Sequence, residues 1–221
     1  VSIDADTYGY PGISEYGHTP LLINGSRKVE IKDFYKEFSE TSLPFSFAKH
    51  SLYKGDSFMV GALPRILNSG NKLKGEAARL KNILMYEIPK STYANNLCQG
   101  IEIVYSLERC IEIIDLLCSG NIDAIPTCHP SPVTPHSSTG IAAIEAPRGL
   151  LIHTYTFDNI GYVQDGNITT PTALNLSDME RNLKILAEEL IKEKKDIRPD
   201  LETLVRAYDP CISCSVHIVQ L

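Results

Sequence analysis

The stretch Asp209-Pro210-Cys211-Ile212-Ser213-Cys214-Ser215-Val216-His217 constrains this chain more than any other. Proline disfavours helix in the residue before it, so a helix running toward Asp209 must stop there. The residues after the proline then form a turn, held rigidly at its upstream end. A Cys-x-x-Cys pair sets two sulfurs on one side of that turn, close enough to grip one soft metal ion. The imidazole three residues on can reach a second position beside it. Thiolate and imidazole are the ligands that nickel, iron, zinc and copper prefer. On these residues alone the motif reads as half of a zinc site or as a redox dithiol.

The rest of the chain narrows the setting. Its 221 residues suit one large domain or two small ones, and we read 1–221 as one. A hydrophobic share of 43% with 22% charged residues is enough to bury an ordinary core. The net charge of -6 argues against a nucleic-acid partner, which calls for a basic face. No apolar run approaches the roughly 18 residues of a membrane span, and no signal peptide is expected. It starts at Val1 without methionine, so a fragment or processed product is expected. Cysteines stand at 98, 110, 118, 128, 211 and 214, in a spacing unlike a disulfide framework. A reducing, cytoplasmic location is expected. The Asn-x-Ser/Thr triplets at Asn24, Asn167 and Asn175 then read as chance matches.

Periodicity predicts a mixed fold. Strands are expected over 21–23 and 29–34 around the Asn24-Gly25 turn. Helices are expected over 74–86, 94–118, 177–194 and 201–207. In the second of these, Val104, Leu107, Ile111, Ile114 and Cys118 recur at three- and four-residue steps as one apolar stripe. Cys110 and Cys118 lie in that pattern and are expected as small core residues. Gly120 follows as a helix stop. Ser177 with Glu180 forms a capping box opening the third helix, whose buried face is Met179, Leu183, Leu186 and Leu190. Strands at 150–157 and 162–169 flank the hairpin signal Asp158-Asn159-Ile160-Gly161. The stretch 125–140 is a Pro/Ser/Thr/His-rich loop, in which His129 and His136 read as loop polarity.

Certain blocks carry more. Glu145-Ala146-Pro147-Arg148-Gly149 precedes the hairpin, Thr170-Pro171-Thr172-Ala173-Leu174-Asn175 comes after it, and the Asp-Pro-Cys block stands about sixty residues beyond the first. In this order and spacing the chain resembles the C-terminal part of the large, catalytic subunit of nickel–iron hydrogenases. Ala48-Lys49-His50-Ser51, Gly61-Ala62-Leu63-Pro64-Arg65 and Arg109-Cys110-Ile111-Glu112-Ile113 extend the resemblance upstream. They point to the cytoplasmic branch, with its deazaflavin-coenzyme-reducing, viologen-reducing, NAD(P)-linked and sulfur-reducing enzymes. The resemblance implies an α+β fold, helix-rich with small antiparallel hairpins. It implies reversible oxidation of dihydrogen, with electrons leaving through an iron–sulfur small subunit toward an acceptor subunit.

The same resemblance implies a nickel held by four thiolates, two of them bridging to an iron that carries carbon monoxide and cyanide. By position Cys211 would be a terminal nickel ligand and Cys214 a bridging one. Arg148 would hold its guanidinium over the metals, oriented by Asp209. Pro147 would wall the site. Pro171 and Thr172 match the segment lining the cyanide pocket, where a hydroxyl can donate. His217 and the carbonyl of Ile168 match ligands of a separate magnesium or iron ion. Arg65 and Lys49 match family positions without an evident mechanism, and His153 reads as structural. A complete subunit of this kind carries a second Cys-x-x-Cys and a neighbouring glutamate relay in an N-terminal half, and neither is in this sequence. The tail 218–221 lies past the position after His217 at which the family's precursors are cut. Two rival readings share the motif: a hydrogen sensor that does not turn over, and a zinc module using Cys128, Cys211, Cys214 and His217.

Overall fold

The structure, a computed structural model, describes residues 1–5, 7–8, 19–84, 86, 91–120 and 137–211. Cys128, His129, His136, Cys214, His217 and the tail 218–221 lie outside the described residues.

The chain begins with β1 (Ser2–Ile3), β2 (Leu21–Ile23) and β3 (Arg27–Val29), which pair antiparallel in that order. The β2–β3 turn puts Asn24 at φ 49° and Gly25 at φ 71°, the two positive dihedrals that a tight hairpin favours. The expected strand over 29–34 ends at Val29. It gives way to a 3₁₀ turn (Ile31–Asp33) and α1 (Phe34–Glu37). Ile31 and Phe34, three residues apart, are both buried in one core, which a helical rather than an alternating period achieves. Next come β4 (Phe38–Thr41) and β5 (His50–Tyr53), an antiparallel pair that the sequence pattern does not announce.

Helices α2 (Ala62–Ser69), α3 (Gly75–Leu84) and α4 (Ala94–Cys118) come next. The bounds of α4 agree with its predicted span, and Gly120 takes φ 74° behind it. The first half of α4 buries Ala94, Asn95, Cys98 and Ile101 among residues of α2 and α3. Its second half departs from expectation. Leu107, Ile111 and Ile114 are more than half exposed, and Cys110 and Cys118 are exposed rather than core residues. No described element covers that face.

The second half of the chain is a three-stranded antiparallel sheet, β6 (Ser138–Ala146), β7 (Gly149–Phe157) and β8 (Val163–Thr169), then α5 (Pro171–Lys192) and α6 (Arg198–Ala207). The expected β7–β8 hairpin is present. Asp158 accepts from the amides of Ile160 and Tyr162, closing its loop. Strand β6 is not anticipated by pattern, because the alanines of Ile141-Ala142-Ala143-Ile144 blur alternation. Leu150 and Ile152, fully buried on β7, anchor the sheet to the β1–β3 core. Each such side chain contributes about 1.5–3 kcal/mol.

Helix α5 starts two turns before the expected Ser177. Thr170 is its N-cap, its hydroxyl accepting from Ala173 N at 3.3 Å, and Pro171 sits in the first turn. Proline is pre-set for that position, so Thr-Pro outcompetes the internal Ser177–Glu180 pair. Met179 and Leu190 are buried as expected, with Leu183 and Leu186 partly so. Helix α6 begins three residues earlier than anticipated, with Pro199 in its first turn, and ends before Asp209-Pro210. Among the described residues, six α-helices and short antiparallel strands make the α+β, helix-rich architecture that the resemblance implied.

Candidate metal centre

The site is assembled around the two-residue β6–β7 connection. Ala146 pairs with Gly149, leaving Pro147 and Arg148 as the turn. Gly149 stands at φ 136°, and a Cβ there would come within 2.6 Å of Val60 Cγ2 and 3.0 Å of the Gly61 amide. Only glycine allows the turn to lie this close to the start of α2. Val60 is in turn fixed by α5. Asn175 accepts from Val60 N at 2.8 Å and donates to Val60 O at 3.1 Å, both groups being buried. Thus the turn, the head of α2 and the first coil of α5 are one packed unit.

The end of α6 joins this unit from the other side. Asn95 of α4 donates to Ala207 O at 2.9 Å and accepts from Leu63 N at 2.9 Å. One turn further along α4, Gln99 donates to Asp209 Oδ2 at 3.0 Å. Asp209 itself takes φ 50°, the left-handed conformation that ends the helix. Its other oxygen, Oδ1, accepts from Arg148 Nε at 3.2 Å. Two residues on, Cys211 N donates to Thr172 Oγ1 at 3.2 Å, with the Cys211 residue half-buried.

Of the expected site residues, Arg148, Asp209, Thr172 and Cys211 are therefore tied pairwise by hydrogen bonds, with Pro147 and Pro171 adjoining them in sequence. The Arg148–Asp209 pair keeps 51% and 38% side-chain exposure, so its net contribution to stability is no more than about 1 kcal/mol. Ile168 lies on β8 opposite His153, with its side chain half exposed. It connects to the group only along the chain, through Thr169 and Thr170. His153 Nδ1 is 3.0 Å from Tyr155 OH, the hydrogen-bonded structural role expected of it. Lys49 donates to Asn167 Oδ1 at 2.9 Å on the neighbouring β8 residue. Cys214 and His217 are outside the described residues.

Beneath the turn lies a buried ionic cluster that periodicity could not reveal. Arg65 of α2 bonds Glu102 of α4 at 2.6 Å and Glu145 of β6 at 2.9 Å. Burial drives the Glu145 carboxyl upward, and the Arg65 guanidinium opposes that rise. Tyr8 OH donates to Glu102 Oε1 at 2.7 Å and Ile3 N to Glu145 Oε1 at 2.8 Å, so the carboxylates are well satisfied. Asn95 and Gln99 likewise escape a reading of the sequence. The signals for Arg65, Glu145 and Asn175 are their places in the Gly61–Arg65, Glu145–Gly149 and Thr170–Asn175 blocks; nothing marks Glu102, Asn95 or Gln99.

The donor chemistry fits one edge of a thiolate-held centre. Cys211 is half-buried, its amide is anchored, and the Asp209 that pairs with Arg148 lies two residues before it in the chain. Among the described residues no group of three His, Cys, Asp or Glu side chains could hold a metal ion. Cys211 therefore fits as one member of a larger shell, and not as a site by itself.

Comparison with known proteins places the chain in a family. The signature of the nickel-dependent hydrogenases matches residues 16–217. The chain is 41% identical over 204 residues to sulfhydrogenase 2 subunit alpha of Pyrococcus furiosus, an alignment that covers 91% of this chain and 47% of that protein. It is 40% identical over 201 residues to sulfhydrogenase 1 subunit alpha of the same organism, covering 86% and 43%. In fold it matches the crystal structure of an NAD+-reducing [NiFe]-hydrogenase in the H2-reduced state with a TM-score of 0.72 at 21% identity, over 98% of this chain and 50% of that one. This chain belongs to the nickel-dependent hydrogenase family. It spans about half the length of the curated relatives it matches.

Proposed function

We propose that this chain forms the C-terminal half of a hydrogenase large subunit, and that the intact protein catalyses the reversible oxidation of dihydrogen to protons and electrons. The observation that carries the reading is the meeting of three distant segments. The Pro147-Arg148 turn, the start of α5 and the end of α6 converge through Arg148–Asp209 and Thr172–Cys211. These are the segments in which the family resemblance is concentrated.

A nickel–iron centre with carbon monoxide and cyanide on the iron, when bound, would supply the redox and Lewis-acid chemistry for splitting dihydrogen. Cys211 and Cys214 would hold it from this half as thiolate ligands. The other two thiolates would come from the remaining half of the subunit. Metal binding keeps a cysteine deprotonated, so Cys211 Sγ can accept a proton released at the site. Arg148 adds a fixed positive charge, and Asp209 sets the direction in which its guanidinium points. Thr172 Oγ1 already accepts from Cys211 N, so its own hydroxyl proton stays available for a cyanide nitrogen. Pro147 and Pro171 stiffen the walls. His217 and the Ile168 carbonyl would hold a magnesium or iron ion.

Electrons would pass to an iron–sulfur small subunit and then to an acceptor subunit in the cytoplasm. One fact supports a complex of that kind: the relatives are named as alpha subunits.

The test uses the full-length protein, matured and assembled with its small subunit. Hydrogen-dependent viologen reduction with nickel and iron bound is expected, and Cys211→Ser should abolish both. Stoichiometric nickel and iron without hydrogen uptake would instead indicate a sensor. Stoichiometric zinc at Cys128, Cys211, Cys214 and His217 would overturn the hydrogenase reading.

A further inference from the structure

We infer that Arg65 is a positioning residue for Arg148, gripping the backbone of the turn that carries it. This rests on the reading of Arg148 as the guanidinium beside the metals.

The turn is one that a hairpin does not adopt freely. Two-residue hairpin loops favour the primed turn types, which need φ above zero at the first central position. Pro147 occupies that position, and its ring holds φ near -65°. Arg148, at the second, is not among the residues with positive φ. The first positive dihedral falls on Gly149, at 136°. The twist of such a loop does not match that of the strands, so something other than local preference must hold it.

Arg65 supplies the hold. A guanidinium has five N–H donors in a rigid fork, and here each has an acceptor. Nε donates to Glu102 Oε1 at 2.6 Å. Nη1 donates to Glu145 Oε2 at 2.9 Å and to Ala146 O at 3.0 Å. Nη2 donates to Glu102 Oε2 at 2.7 Å and to Pro147 O at 2.8 Å. The two carboxylates orient the fork. The remaining donors take the carbonyls of the two residues immediately before Arg148. Arg65 is itself only 4% exposed. Burial works against its charge, but the Glu102 and Glu145 carboxylates outweigh that and keep it protonated.

The other side of the turn is closed by packing. A Cβ on Gly61, four residues before Arg65, would lie 3.3 Å from Arg148 O. The short helix α2 thus fixes the Arg148 backbone twice, by contact at its head and by hydrogen bonds one turn later. From that base the Arg148 side chain reaches Asp209. A buried ion-pair network needs no such geometry merely to be stable. Its two backbone-directed donors are what make it an instrument of position.

The test is a double-mutant cycle in the full-length, matured enzyme, with Arg65→Lys and Arg148→Lys alone and together. Lysine keeps the charge but is a single point donor that cannot reproduce the fork. Arg65→Lys should lower kcat about 10- to 100-fold, the range for groups that orient a metal-site residue. In the Arg148→Lys background the same change should lower kcat less than about two-fold, while its loss of thermal stability persists in both backgrounds. A crystal structure of Arg65→Lys should show Arg148 and Asp209 separated beyond the roughly 4 Å limit of an ion pair.

Tyr8→Phe is the second variant. It removes the hydroxyl that donates to Glu102 at 2.7 Å but leaves all five Arg65 bonds, so it should lose stability while kcat stays within about two-fold. Equal kcat losses from Arg65→Lys in both backgrounds would overturn the inference. So would an Arg148–Asp209 contact unchanged in the variant structure, or a kcat loss in Tyr8→Phe matching that of Arg65→Lys. A parent enzyme without hydrogen uptake would defeat the functional reading instead. The variant structure would still decide whether Arg65 holds the turn.

Discussion

Replacing Asn95 by alanine should cost the fold about 3 kcal/mol, a magnitude set by the groups that the carboxamide touches. Gly61, the N-cap of α2, has no side chain, so the orphan amide of Leu63 needs an acceptor from elsewhere. Asn95 Oδ1 provides it at 2.9 Å, acting as a cap from another helix. Its Nδ2 covers an orphan carbonyl at the C-terminus of α6, Ala207 O, at 2.9 Å. A lost N-cap costs about 0.5–2 kcal/mol, and a buried acceptor left unpaired costs about 1–3 kcal/mol. Asn95 is 2% exposed, so water cannot substitute for either bond.

The assay is urea denaturation of the full-length subunit together with hydrogen exchange at the Leu63 amide. The midpoint should fall at unchanged slope. Exchange at Leu63 should accelerate about 100-fold, since each 1.4 kcal/mol is a factor of ten. Asn95→Asp sharpens the test. It keeps the acceptor for Leu63 but sets a carboxylate oxygen against Ala207 O. Burial would raise the pKa of this aspartic acid in the folded state above its unfolded value near 3.9. Its protonated form can donate to Ala207 O. The variant should therefore be nearest to wild type below about pH 4 and lose stability as pH rises through the folded pKa. A change below about 1 kcal/mol in Asn95→Ala, or the opposite pH trend in Asn95→Asp, would refute the double-cap argument.

The same geometry sets further outcomes. Asp209→Asn should change stability by less than about 1 kcal/mol, because the Arg148 pair is half exposed, yet lower hydrogen uptake about 10- to 100-fold; this is read by melting and by viologen reduction of the matured complex. Burial, reinforced by the Glu102 charge, pushes the Cys98 thiol up to about 12. At pH 8 it should thus resist thiol reagents in the 221-residue chain while the exposed Cys110 and Cys118 react, as peptide mapping of that chain after labelling would show. Tyr208→Phe removes the buried hydroxyl that donates to Asp178 Oδ2 at 2.7 Å and accepts from Asn182 at 2.6 Å, and should cost about 1–3 kcal/mol in denaturation midpoints.

What the sequence makes legible is local. The span of α4, the β7–β8 hairpin and the Asn24-Gly25 turn come from periodicity and turn chemistry, and the structure carries all three. The misses have local causes too. Thr170-Pro171 is a stronger helix start than the Ser177–Glu180 pair that resembles one. Ile31 and Phe34 read as part of a strand because both are apolar, although their spacing of three belongs to a helix. Two alanines hide β6. The candidate site is legible in a different way, as blocks in order. The bonds that assemble it are not, because they join residues far apart in sequence: Asn175 to Val60, Asn95 to Ala207, Arg65 to Pro147. No window of periodicity contains both partners.

The second half of α4 connects these observations. Its residues Leu107, Ile111 and Ile114 form a stripe of the kind that a folded chain buries. With Ile103, Ile113, Leu116 and Leu117 also exposed, the helix is apolar on more than one side. A helix of that kind belongs inside a protein. Exposed clusters of this size on soluble proteins mark surfaces that something else covers. At the Pro147-Arg148 turn, Cys211 and the Arg148–Asp209 pair are only partly enclosed, and the described donors fall short of a metal shell. An uncovered helix face and an incomplete ligand set are independent features, one apolar and one polar. We propose that the remaining half of such a large subunit packs along α4 and brings the other thiolates to the turn. Burial of α4 and completion of the site would then be one event, and the metal would be held only where the two halves meet.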